Sequence, residues 1–437
     1  MSEEIPVYSN STEPMAVLKV HPWRSDLYEE LHNRPSPVIN GPCQITHFTL
    51  LLEQNASIQD YVVDLCKRFS VTMPDTKSSC FYQDFGGFEL RWERHLEFAN
   101  FTFIFPETDP FASDTLSFIP KDWLAAMPGE LIVALNLVFI AKEPTEEQLR
   151  WFEGQRVSGS HIADKKAQVW TAFKLHSDGF GRVLVQNKSL TPYQSGRLVQ
   201  RLFELETYRL MSLLALPVAR QTGHELRAIE ESLTQLHDSI ADIQVKHDER
   251  ELLHELSLLA ADVERRRSNT NYRFSAAVAY HDLVNDRLNQ LREMPIDGMQ
   301  SLREFLERRL TPGIKTCNSV RDRLDDISRR ITRTTDLLRA RVDLTIQEQN
   351  QDLLSSLNRR SQLQLRLQQT VEGLSVVAIS YYLVSLLGFV YQGMNTVGIK
   401  IEVDIAMAIS APIVVGLVYY AVRRIRLHIT KAAKKKS

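Results

Sequence analysis

The sequence predicts an α+β protein: an N-terminal mixed α/β domain, a helical domain with a very long stalk helix, and two C-terminal transmembrane helices. Three observations carry this. Strand-like alternation of apolar and polar residues fills the chain to about residue 190 and then stops. No Pro or Gly interrupts residues 314–372. Two runs of eighteen residues, 374–391 and 405–422, contain no charge. The implied organisation is a disordered tail over 1–14, an α/β domain over 15–190, and a helical bundle with its stalk over 191–373. A first span over 374–391, an outer loop over 392–404, a second span over 405–422 and a basic tail over 423–437 follow.

In the α/β domain, residues 44–53 read as a strand and 57–69 as a helix. Gly86-Gly87 punctuates the chain, after which Phe88, Leu90 and Trp92 alternate with Glu89, Arg91 and Glu93. Phe101, Phe103 and Phe105 repeat the period-two pattern. Residues 123–127 suit a short helix. The apolar stretch 131–141 belongs at a sheet centre, where both faces are covered. Residues 169–175 and 182–186 form a hairpin about Ser177-Asp178-Gly179.

Thr191-Pro192 marks the change to helix, because Thr caps well and Pro suits the first helical position. Leu198, Leu202, Leu205, Leu213 and Leu216 form a stripe. Pro217 and Gly223 predict a bend, followed by helices over 225–246 and 248–292. Pro295 and Gly298 end the second of these, and a shorter helix runs to Leu310. Beyond Pro312, Val320, Leu324, Ile327, Ile331 and Leu338 lie at coiled-coil spacings among charged neighbours. One helix over 314–391 would be on the order of 115 Å long.

Each uncharged run covers about 27 Å as a helix, close to the thickness of bilayer hydrocarbon. Arg359, Arg360 and Arg366 precede the first; Arg423, Arg424, Arg426, Lys431 and Lys434–Lys436 follow the second. The intervening loop has one Lys and two acids. The positive-inside rule then places both termini in the cytoplasm and the loop outside. The N-terminal stretch is polar and acidic and lacks a secretory signal, so the membrane address is internal.

Composition excludes some functions. Lys and Arg number 52 against 54 Asp and Glu, a formal net charge of −2. Without the last fifteen residues, 45 basic groups face 54 acidic ones. No nucleic-acid partner is expected from such a surface. Cys43, Cys66, Cys80 and Cys317 have no metal or redox spacing, and a reducing compartment suits them. No phosphate loop, dinucleotide fingerprint or HExxH motif occurs. No catalytic residue, cofactor or metal site is assigned, and the chain reads as a non-enzyme.

Two features still bear on function. Arg91, Glu93, His95 and Glu97 share one face of a strand: either the Glu/His/Glu alternation holds a metal, or the face is salt-bridged and exposed over packed aromatics. His176-Ser177-Asp178-Gly179 has the residue types of a triad but the Asp-Gly of a hairpin turn. In the first span, Ser375, Ala378, Tyr382, Ser385 and Gln392 recur at three- and four-residue spacings. That stripe either lines a pore or permits close helix packing. Glu402 and Asp404 would form an acidic ring at the outer mouth of a homo-oligomer, favouring a divalent or other cation.

Several stretches carry a resemblance: His21-Pro22-Trp23-Arg24, Leu31-His32-Asn33-Arg34-Pro35, Arg91-Trp92-Glu93-Arg94-His95, Leu190-Thr191-Pro192, and residues 196–201 and 365–375. Together they resemble a family of uncharacterised, mainly proteobacterial, membrane-anchored proteins. The resemblance implies an inner-membrane protein and no assigned activity. The plan is also similar to the CorA magnesium channel family, in which Gly-Met-Asn ends the first span. Gly393-Met394-Asn395 stands at that place, although Gln392 separates it from Tyr391 where that family carries Tyr next to Gly. This similarity implies an oligomeric cation channel; the alternative is a non-conducting anchored scaffold or sensor in the lipid bilayer.

Overall fold

The computed structural model describes residues 21–24, 27–28, 36–52, 58–75, 78–106, 109–111, 115–241, 249–396 and 402–434. The expected tail over 1–14 lies outside the described residues. The chain divides into two compact units, Met1–Thr334 and Thr335–Ser437.

The first unit is built on a mixed sheet. Its strands are β1 (Cys43–Leu51), β2 (Cys80–Asp84), β3 (Glu89–Arg94), β4 (Phe98–Phe105), β5 (Glu130–Ile140), β6 (Ser158–Ile162), β7 (Ala167–Thr171), β8 (Gly181–Asn187) and β9 (Met294–Pro295). The order across the sheet is β2-β3-β4-β1-β5-β8-β7-β6-β9. β5 and β8 pair in parallel, while the other described pairs are antiparallel. The apolar run of β5 therefore sits mid-sheet, as its composition demands.

Alternation along the strands divides two chemistries. Phe48, Leu50, Leu90, Trp92, Phe101, Phe103 and Phe105 point to one face. They pack against helices α1 (Ile58–Phe69) and α2 (Lys121–Ala125). In α1, Ile58, Val62, Leu65 and Cys66 repeat at helical spacing and are buried. From α2, Trp123 stacks on Tyr61 with centroids 4.1 Å apart, and its indole N–H donates to the Tyr61 carbonyl at 3.0 Å. Each such ring contributes about 1.5–3 kcal/mol of apolar burial. A short helix α3 (Glu146–Leu149) is closed by a Thr145/Gln148 capping box.

The opposite face lies under α4 (Pro192–Leu213) and α6 (Glu249–Leu291). α4 starts as expected, with Thr191 and Gln194 capping each other. Gly196 allows the approach to the preceding segment: a Cβ there would lie 1.6 Å from the Pro37 carbonyl oxygen. The bend expected at Pro217 and Gly223 falls instead at Leu214. Helix α5 (Ala215–Ala241) runs through both residues. Pro217 occupies its first turn, where the missing N–H has no intrahelical partner to lose. Gly223 is a contact point rather than a break, since a Cβ there would reach within 3.2 Å of Val320. Residues 242–248, where the next boundary was expected, lie outside the described residues. After α6, Ser301 caps α7 (Leu302–Arg309).

Helix α8 (Thr311–Thr396) is 86 residues long and continuous. Of its expected stripe, Val320, Leu324, Ile327 and Ile331 are buried in the first unit, beside Ile314 and Cys317, and Leu338 is buried in the second. Arg323 pairs with Glu230 of α5 at 2.8 Å, and Arg267 of α6 pairs with Asp325 at 2.9 Å. The change from strand to helix at 190/191 thus occurs inside one compact unit, because α4 and α6 cover the sheet.

The second unit contains the rest of α8 and helix α9 (Val403–Lys434). The two lie side by side where Gly388 meets Met407, whose Sδ would stand 2.8 Å from an added Cβ. Pro412 lies within α9 without ending it.

Candidate functional site

The strand-face candidate is rearranged by the structure. Only Arg91 and Glu93 share a face of β3, which ends at Arg94. His95 and Glu97 fall in the turn to β4, so the four side chains do not line up as expected. His95 stacks on Phe98 with centroids 4.3 Å apart. Glu97 turns towards α6, accepting from Tyr280 at 2.6 Å and pairing with Arg273 at 3.1 Å. Burial, and then this carboxylate, push the Tyr280 hydroxyl pKa up. Arg91 and Glu93 pair at 2.8 Å and are buried, not exposed. Among the described residues, no group of three or more His, Cys, Asp and Glu is placed to hold a metal ion.

This face forms a polar layer between sheet and helices. His47 Nδ1 and the Thr102 hydroxyl are 2.8 Å apart, with Nε2 near Thr207 of α4 at 3.4 Å. Thr49 bonds Asn100 at 2.8 Å and Thr207 at 3.0 Å. The imidazole stacks on Phe203 of α4, centroids 4.5 Å apart. Burial first, then Arg91 and His95, lowers the His47 pKa to about 3, so the ring is neutral. Buried polar groups with partners on both layers fix how α4 sits on β1 and β4. Burial likewise raises the Cys43 thiol to about 12 and the Cys66 thiol to about 11, which disfavours either as a nucleophile at neutral pH.

The 176–179 stretch is a turn. Gly179, with φ +81°, donates its N–H to the His176 carbonyl. The Ser177 hydroxyl donates to Glu153 at 2.6 Å rather than to histidine. Asp178 pairs with Arg182 at 2.8 Å. Ser177 and Asp178 are therefore committed elsewhere, and His176 Nδ1 lies 3.1 Å from the Phe180 carbonyl oxygen.

The second unit carries the remaining candidates. Among its described residues, the α8 face that is covered includes Val376, Ser380, Val384, Gly388 and Tyr391. Met407, Ser410, Ala411, Val414 and Val418 form the corresponding row on α9. Small residues at these points let the helices approach closely. Ser375, Tyr382 and Gln392 are exposed and Ser385 is half-buried, so most of the predicted polar stripe stands beside the packed row. Gly393, Met394 and Asn395 lie in the last turn of α8, Asp404 in the first turn of α9, and Glu402 is exposed just before it. The side chain of Asn395 and residues 397–401 of the loop lie outside the described residues.

Both helices carry stretches long and apolar enough to cross a membrane. Only 11% of the first stretch and 0% of the second are buried. Tyr382, Phe389, Ile409 and Leu417 are more than half exposed. Such surfaces associate with apolar surroundings.

No curated protein matches the chain. A family model described as "Protein of unknown function (DUF3422)" matches residues 19–429, a span that includes both apolar helices.

Proposed function

The chain belongs to the DUF3422 family of unknown function, and from that premise we propose that it is an integral membrane protein held by the α8–α9 hairpin, with its α/β unit acting in the cytoplasm as a scaffold or sensor. The exposure of both apolar stretches carries this reading, since the core helix of a soluble protein would bury them. The basic residues that follow α9 favour a cytoplasmic side for both termini, and the near absence of positive charge over 392–404 favours an outer loop. The resemblance noted above favours the bacterial inner membrane. This reading assigns the cytoplasmic unit binding rather than catalysis.

The test is a cysteine placed at Thr396. The four native cysteines are buried, so a new thiol there reports alone. The expected result is labelling by an impermeant reagent from the periplasmic side of intact cells. Labelling that requires rupture of the inner membrane would overturn the topology.

A second reading, an oligomeric cation channel of CorA-like plan, is favoured by the polar stripe. Ser375, Tyr382 and Gln392 stand exposed on α8. In a bilayer a polar stripe faces other helices or a water-filled lumen. Copies arranged in a ring would line a pore with this stripe and place Asn395, Glu402 and Asp404 about its mouth. The subunit number of the detergent-solubilised protein separates the readings, because a dimer cannot enclose a pore with two first spans.

A further inference from the structure

A pocket of about 210 Å³ opens in the first unit, where the turn between β6 and β7, the N-terminal half of α4 and the C-terminal end of α6 meet. Ile162 and Leu198 form its apolar wall. Lys166 enters from the turn, Arg197 and Arg201 from successive turns of α4, and Arg292 from beyond α6. Four cations thus gather about one opening.

The nearby acids do not balance them. Asp164 pairs with Arg292 at 2.7 Å, and Glu204 is committed to Arg287. Among the described residues, Lys166, Arg197 and Arg201 have no carboxylate partner. Arg197 and Arg201 stand four residues apart on one helix face, a spacing at which like charges oppose each other. Partial burial, and then Arg197 and Arg287, lower the Arg201 pKa.

We infer that this pocket binds a phosphate group, through Lys166, Arg197, Arg201 and Arg292. A phosphate carries up to two negative charges and three acceptor oxygens, which one carboxylate cannot match against this many cations. Guanidinium forks grip phosphate oxygens in pairs, and a lysine adds a point charge. The volume admits a phosphate with a short substituent rather than a large cofactor. A phosphorylated metabolite and a lipid headgroup share this chemistry. The inference is independent of the membrane reading, because every lining residue lies in the first unit.

The test is calorimetric titration of the full chain, kept in solution by an uncharged detergent, with inorganic phosphate and with glycerol phosphate. Saturable binding is expected, while chloride at equal ionic strength gives none. Arg197→Gln and Lys166→Gln, both on exposed side chains, should each weaken binding about tenfold. Asp164→Asn, which releases Arg292, should strengthen it. Short-chain phosphatidic acid added to the micelles distinguishes the sources: competition with phosphate identifies a lipid headgroup, and undisturbed phosphate binding identifies a soluble compound. Absence of saturable binding to the wild-type chain would overturn the inference. So would affinities within about twofold of wild type in both Arg197→Gln and Lys166→Gln.

Discussion

His47 joins three elements through one side chain, and its chemistry sets how the fold responds to acid. Its folded pKa of about 3 lies below the ordinary imidazole value. Above about pH 6.5 neither folded nor unfolded chain protonates the ring, and it adds no pH dependence. As pH falls from there towards 3, the unfolded chain takes up a proton that the folded chain refuses. Stability then declines by up to about 1.4 kcal/mol per pH unit from this group. His47→Gln should flatten the decline between pH 6 and 4, as read by urea unfolding at each pH, while costing about 1–2 kcal/mol at pH 7 for the lost stacking on Phe203. Gly196 is constrained by space. With Cβ only 1.6 Å from the Pro37 carbonyl oxygen, Gly196→Ala must displace backbone. The expected loss is about 1–3 kcal/mol in thermal unfolding.

Among the elements, α8 is the most exposed to a single backbone change. Leu324 is buried in its stripe, between Arg323 and Asp325, which pair with α5 and α6. Leu324→Pro removes an intrahelical bond and clashes with the preceding turn, and should cost about 3 kcal/mol or more. Circular dichroism melting of the variant against wild type measures this, and an unchanged melt would contradict a continuous helix there. The helix was legible in the sequence because nothing interrupts 314–372 and the apolar spacing is regular. β5 was legible because its run is apolar throughout. β6 was not: Ser158-Gly159-Ser160 has no apolar alternation, and Gly159 is small because Met299 and Trp170 crowd it. The polar face of β3 misled for a related reason. Period two divides the faces of a strand, but whether water or a later helix covers the polar one depends on α4 and α6, over a hundred residues on. Pro217 misled because a first-turn proline and a breaking proline look alike until the helix start is known.

For the molecule as a whole, the two apolar helices were readable because each run is eighteen residues long and carries no charge. The basic pocket was not, since residues 166, 197, 201 and 292 meet only through the fold. If the assembled protein conducts cations, Asn395→Ala should reduce divalent-cation flux into liposomes. The Glu402→Gln, Asp404→Asn pair should weaken flux mainly at low ionic strength, where exposed carboxylates concentrate cations best. A ring-shaped assembly that passes no more Mg²⁺ than empty liposomes would leave only the scaffold or sensor. Strand β9 closes one margin of the sheet. An uncovered strand at a sheet margin recruits further strands and starts fibrils. Met294 and Pro295 occupy that margin along His161 and Ser160, and Pro295 has no N–H with which to extend the ladder. Release of this two-residue cover would bare the outer edge of β6. Opening of β9 would thus add a second free margin to the one that β2 presents at the other end of the sheet.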